Sequence, residues 1–349
     1  MAKNQKKISK NKLIIVLSIL FVLGMGVVVG VYKFLKSNNL PVEKEYYLYI
    51  QPGATYNDVL DSLMVNKCIE DPSFFNWLAN RKGYPSRVKS GRYKIVPHMN
   101  INTLLNKLKS GNQDPLSVVV GNFRTKEALA KRLSKKLMFD SADFMNAFEN
   151  KEMLDSMGFT NETAMAIFIP NTYEFYWDIT PENFLRRMYK EYDAFWNGIR
   201  DQKAKSMKMT RLEIITLASI VEEETNKNDE KPLIASVYLN RLRQGRLLQA
   251  DPTVRYAIYD FSIRRILRKH LSYDSPYNTY MYKGLPPGPI CIPSIASIDA
   301  VLENRKTYYL FFCAKEDFSG YHNFAVTHAE HVRNARNFQK ALNERKIYK

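Results

Sequence analysis

Apolar and polar positions divide the chain into segments of different period, and one of them departs from the pattern of a surface helix. Residues 210–226 read TRLEIITLASIVEEETN. Thr210 and Glu213 have the spacing of a capping box, which marks a helix start. Leu212, Ile214, Ile215, Leu217, Ala218, Ile220 and Val221 leave no wide polar face, so this helix belongs inside a core. Glu222, Glu223 and Glu224 follow directly. At about 100° per residue, the apolar side centres on Ile214 and Val221. Glu223 points away from that side and is expected in solvent. Glu222 and Glu224 flank it, and a carboxyl held in a desolvated wall has its pKa raised and becomes a candidate general acid. Periodicity leaves the choice between these two open.

The start of the chain has a different pattern. Residues 13–32 are one uninterrupted apolar run, close to the ~20 residues that cross a bilayer. Residues 1–12 are basic and lack acidic residues, Lys33 and Lys36 follow the run, and no A-x-A-like cleavage site is present. A membrane span over 13–35 is therefore expected. The lysine asymmetry puts the N-terminus in the cytoplasm and the rest of the chain outside. A polar linker over 36–45 comes next.

A strand–turn–helix unit then occurs twice. Residues 47–50 read as a strand, 51–54 as a turn, and Thr55 as the cap of a helix carrying Val59, Leu60 and Leu63. Seventy positions later come a strand at 118–120, a cap at Thr125 and buried helix positions at Leu129 and Leu133, with Phe74 matching Phe144. Between the copies, 91–95 reads as a strand and 101–108 as a helix ending at Gly111. The aromatic run 167–177 is interrupted by Pro170 and Asn171, which predicts a strand turning into a loop. Its rings could stack on sugars or fill a core. A helix capped by Thr180 is expected over 181–195, and another over 232–245 with a glycine stop.

The C-terminal third alternates helices with stiff loops. Asp251 precedes Pro252, which pushes its backbone out of helix and predicts a loop carboxylate that caps the next helix or faces a cleft. Residues 284–293, GLPPGPICIP, cannot form helix or central strand and read as a loop that lines a site. A helix near 295–302, a hairpin of 308–313 with 322–326, and a last helix capped by Thr327 and Glu330 complete the chain.

Composition narrows the function classes. At 349 residues, two or three domains are expected, and 45% hydrophobic residues with 22 Tyr and 19 Phe supply a sizeable core. The net charge of +17 raises nucleic acid or an anionic surface as partner. The basic residues form no stripe interleaved with aromatics beyond the N-terminus, which argues against nucleic acid. Cys68, Cys291 and Cys313 have no C-x-x-C spacing. His328 and His331 have no matching third ligand, and neither a Gly-rich phosphate loop nor a G-x-S-x-G elbow occurs. No metal or cofactor is expected.

LASIVEEET, NRLRQGRLLQADPTVRYA, SPYNTY and GLPPGPI, in this order, resemble the YceG-like family of endolytic murein transglycosylases. The likeness runs from about Tyr47 to the C-terminus. It implies an α+β protein: a single transmembrane helix, a small LysM-like strand–helix module over 46–112 and a mixed α+β catalytic domain over 113–349. It implies an enzyme that cleaves peptidoglycan glycan strands beside the membrane, with membrane lipid and cell-wall synthases as candidate partners. By the resemblance, the catalytic residue is Glu222, the first glutamate after S-I-V. Gln249, Asp251, Thr253, Tyr256, Tyr277, Asn278, Thr279, Tyr280, Pro286, Gly288 and His322 are the implied substrate contacts. The chain departs from the family at Met165-Ala166, where the family has Glu-Gly, and at Asn171 within Ile169–Tyr173, where the family has F-P-D-T-Y.

A glycoside hydrolase of the usual kind needs two carboxyl groups; a lytic transglycosylase uses one. Glu222 would protonate the glycosidic oxygen after N-acetylmuramic acid, then accept the proton of that sugar's 6-hydroxyl as it closes on C1 to a 1,6-anhydro end. Two other classes fit the same residues. One is a membrane-anchored peptidoglycan-binding protein without catalysis. The other is a two-carboxylate hydrolase with Asp251 as the second group.

Overall fold

The computed structural model describes residues 10–37, 39–263 and 265–345. The basic tail expected at 1–12 lies outside them except for its last three residues. Helix α1 (Lys10–Ser37) covers the expected span. Among the described residues, no helix is long and apolar enough to cross a membrane.

The chain forms two compact units: residues up to Leu116 with Tyr176–Asp178, and Ser117–Phe175 with Ile179–Lys349. In the first, β1 (Tyr46–Ile50), α2 (Tyr56–Val65), α3 (Pro72–Arg81), β2 (Gly91–Ile95) and α4 (Ile101–Ser110) follow α1. β1 and β2 are antiparallel, with Tyr46 opposite Ile95 and Ile50 opposite Gly91. Alternate residues Leu48, Ile50, Tyr93 and Ile95 face a core completed by Val59, Leu63, Phe75 and Leu104. Thr55 caps α2 through a reciprocal bond with Asp58, and Gly111, at φ 74°, closes α4.

The second unit starts within β3 (Leu116–Val120) and repeats the strand–helix–helix order with α5 (Lys126–Leu133) and α6 (Ser141–Phe148). The N-caps of the matched helices, Asp71 and Asp140, make Phe75 rather than Phe74 the counterpart of Phe144. Phe75 and Phe144 are both fully buried. After α7 (Lys151–Ser156), β4 (Asn171–Phe175) pairs with β3. The strand thus follows Pro170 instead of preceding it, and Phe168, Tyr173 and Phe175 are core residues. α8 (Pro181–Trp196) and a helix without a matching sequence expectation, α9 (Ile199–Ser206), lead to α10 (Arg211–Glu224).

Helix α10 is the centre of this unit. The capping box is formed, with Thr210 and Glu213 bonded reciprocally. Every residue from Ile214 to Val221 is buried, at roughly 1.5–3 kcal/mol for each large apolar side chain removed from water. α11 (Lys231–Arg243) and α14 (Ile295–Glu303) pack against it. Between them lie α12 (Asp251–Ile258), α13 (Arg268–Leu271) and the proline-rich loop. The hairpin of β5 (Phe311–Ala314) and β6 (His322–Ala325) leads to α15 (His328–Glu344).

Candidate active site

The three glutamates end α10 in three different environments. Glu222 is surrounded by donors. Its Oε2 accepts from the Ser294 hydroxyl at 2.5 Å, the Ser297 hydroxyl at 2.5 Å, Lys231 Nζ at 3.0 Å and the Ser294 amide at 3.2 Å. Its Oε1 accepts from Asn122 at 3.3 Å. Burial would push this carboxyl up, but the serine hydroxyls and Lys231 outweigh it and hold Glu222 below the usual carboxylate range. The raised pKa expected of a general acid is therefore absent here. Lys231, 3% exposed, depends on Glu222 as its counter-charge.

Glu223 is not solvated, contrary to its angle on the helix wheel. Arg124, from the loop between β3 and α5, covers it: Nε at 2.9 Å and Nη2 at 2.8 Å both donate to Oε2, and Nε also reaches Oε1 at 3.0 Å. Only 8% of the Glu223 side chain is exposed.

Glu224 has the properties of an acid–base group. It lies on the wall of a cavity of about 410 Å³ whose lining includes Tyr238, Gln249, Asp251 and Tyr280. Its Oε1 accepts from the Tyr238 hydroxyl at 2.5 Å. Burial pushes the Glu224 carboxyl up to about 7, and the nearby charge of Asp251 adds to the rise. Because Tyr238 donates to Oε1, a proton on this carboxyl resides on Oε2.

The expected substrate residues separate into groups. Gln249, Asp251 and Tyr280 share the cavity with Glu224. Asp251 is not in a loop and caps nothing through its side chain; it starts α12 and accepts from Tyr280 at 2.6 Å. Thr253, Asn278 and Thr279 are buried. Thr253 and Thr279 bond each other at 2.8 Å, and Asn278 donates to the Leu271 and Tyr273 carbonyls. They hold the loop and do not face the cavity. Tyr256 packs on Tyr277, with ring centroids 4.8 Å apart, and Pro286 is buried. Gly288 is required sterically, since a Cβ there would lie 2.1 Å from the Glu162 carbonyl oxygen. His322 is taken by Glu230, which accepts from its amide and faces its Nδ1, both at 2.7 Å.

The described chain matches the model of the YceG-like family over residues 48–337. The chain belongs to the YceG-like family. An endolytic murein transglycosylase of Bacillus subtilis is 31% identical over 90% of this chain and 92% of its own length. One from Streptococcus pneumoniae is 26% identical over 87% of this chain and 61% of its own. A crystal structure of a YceG-like protein from Listeria monocytogenes superposes with a TM-score of 0.57 at 29% identity, over 84% of this chain and 99% of that one. The mixed α+β architecture with small sheets is the YceG-like fold.

Within this YceG-like chain, sequence reading misses the partners that distinguish the glutamates. Tyr238 and Lys231 come from α11, Ser294 and Ser297 from the start of α14, and Arg124 from near β3. One signal was available: Lys231, Tyr238 and Arg241 are polar positions on a helix that is otherwise buried on most sides, and buried polar groups need partners.

Proposed function

We propose that this chain is a membrane-anchored endolytic murein transglycosylase in which Glu224 is the acid and then the base. The observation that carries this reading is a single carboxyl with its pKa near neutrality on the wall of a sugar-sized cavity. The relatives named endolytic murein transglycosylase supply the substrate class. Protonated Glu224 gives its Oε2 proton to the glycosidic oxygen after N-acetylmuramic acid, and the C1–O bond breaks. The resulting carboxylate takes the proton of the 6-hydroxyl as that oxygen bonds C1, leaving a 1,6-anhydro end and Glu224 protonated again. No water enters the products. Gln249, Asp251 and Tyr280 are the proposed sugar contacts.

Glu222, the residue implied by the family motif, is read instead as a structural carboxylate, because four donors stabilise its ionised form. The anchor is supported by α1, whose large apolar residues from Ile14 to Val29 are each at least half exposed, as suits a helix with lipid around it. The first unit is read as the LysM-like module and the second as the catalytic domain. The reading is tested by digesting murein strands and weighing the products. A 1,6-anhydro end supports it. A reducing end would favour a hydrolase with Asp251 as second carboxylate, and no cleavage would favour a binding protein.

A further inference from the structure

The cavity beside Glu224 has a cationic end that the proposed reaction does not use. Arg241 of α11 and His328 and His331 of α15 line it together with Phe311. Arg241 is only 7% exposed. Its Nε donates to the Leu310 carbonyl at 2.6 Å, and its Nη1 to the Leu248 carbonyl at 2.8 Å and to Gln249 Oε1 at 3.1 Å. These acceptors are all neutral. Among the described residues, no carboxylate pairs with Arg241 and no hydrogen bond uses its Nη2.

His331 has the complementary feature. Its Nδ1 is shielded from solvent and has no hydrogen-bond partner. The imidazole stacks on Phe311 at 5.3 Å and 21°, and the Arg241 guanidinium lies 5.2 Å from the centroid of the same ring. Burial pushes His331 below the ordinary histidine range, and His328 and Arg241 push it further. The other charged groups facing this cavity are already engaged: Asp251 accepts from Tyr280 and Glu224 from Tyr238. A buried guanidinium without a counter-charge and a buried imidazole nitrogen without a partner are each costly. One planar anion with two oxygens would satisfy both.

We propose that the Arg241–His331 end of the cavity is a subsite for a carboxylate on the peptide stem of murein. This rests on the proposed reading of the chain as a murein transglycosylase. Acetamido sugars are uncharged, and the lactyl carboxyl of muramic acid is consumed in the amide bond to the stem, so the stem carries the free carboxylates. The subsite would make the enzyme select strands by the state of their stems as well as by their sugars.

The experiment compares uncrosslinked murein strands bearing free stem carboxylates with the same strands amidated by carbodiimide and ammonia. The full-length chain should cleave the free-carboxylate strands with a kcat/KM about tenfold higher, the worth of one hydrogen-bonded charge. His331→Phe, which keeps the ring on Phe311 and removes Nδ1, should bring that ratio toward one. A wild-type ratio near one overturns the subsite, and this result needs no variant to fold. So does a ratio retained in His331→Phe. If neither substrate yields anhydro ends, the transglycosylase reading fails instead. Calorimetric titration with free and amidated stem pentapeptide then decides the subsite separately: tighter binding of the free form supports it, and equal binding overturns it.

Discussion

Two glutamates two residues apart on one helix differ because of what other segments bring to them. Glu222 meets Lys231 and two serine hydroxyls; Glu224 meets one tyrosine hydroxyl in a desolvated wall. The consequences have opposite signs. The lowered pKa of Glu222 stabilises the fold above the unfolded value of 4.5, and that contribution is lost as pH falls through the folded value. The raised pKa of Glu224 works the other way: its contribution is present below 4.5 and is lost as pH rises through about 7. Glu222→Gln leaves Lys231 buried without its counter-charge and should cost roughly 3–5 kcal/mol, read from a denaturant melt. Glu224→Gln should leave the melting temperature at pH 8 unchanged or raised. Since the acid form starts the reaction, kcat/KM should fall as pH rises above about 7. The Tyr238 bond stabilises the ionised form, so Tyr238→Phe should move that alkaline limb to higher pH while still giving anhydro product. A limb that stays in place would separate Tyr238 from the titration.

At the scale of elements, local signals are legible and meetings between distant segments are not. The cap at Thr55 and the capping boxes at Thr210 and Thr327 are formed as the sequence predicts, because a cap involves only four consecutive residues. The doubled strand–helix unit is legible for the same reason, apart from the one-residue shift that pairs Phe75 with Phe144. The apolar stretch of α10 reads correctly as core. Its angular geometry does not place Glu223, because Arg124, 99 positions away, covers the side that the helix wheel assigns to water. The wheel likewise leaves Glu222 and Glu224 equivalent, since Ser294 and Tyr238 approach from elements whose packing periodicity does not reveal. The proline-rich loop shows the same limit: its stiffness is legible, but its packing on Glu162 is not. Gly288→Ala should shift that loop or cost about 1–3 kcal/mol from the clash with the Glu162 carbonyl, measurable as a lowered unfolding midpoint.

For the whole molecule, each unit has its own core, and the activity is assigned to residues of the second alone. Cysteine labelling of single-cysteine variants in intact cells should find the chain after α1 outside the cytoplasmic membrane; a labelled C-terminus on the cytoplasmic side would contradict the anchor. The central claim is that Glu224, not Glu222, moves the proton. It is tested most directly by digesting murein strands with the full-length chain carrying Glu224→Gln or Glu222→Gln and counting 1,6-anhydro ends by mass. Glu224→Gln should fold normally and lose at least ~10²–10⁴-fold in rate, while Glu222→Gln should keep its activity in whatever fraction stays folded. A folded Glu222→Gln protein without activity, beside a Glu224→Gln protein that still makes anhydro ends, would contradict the account.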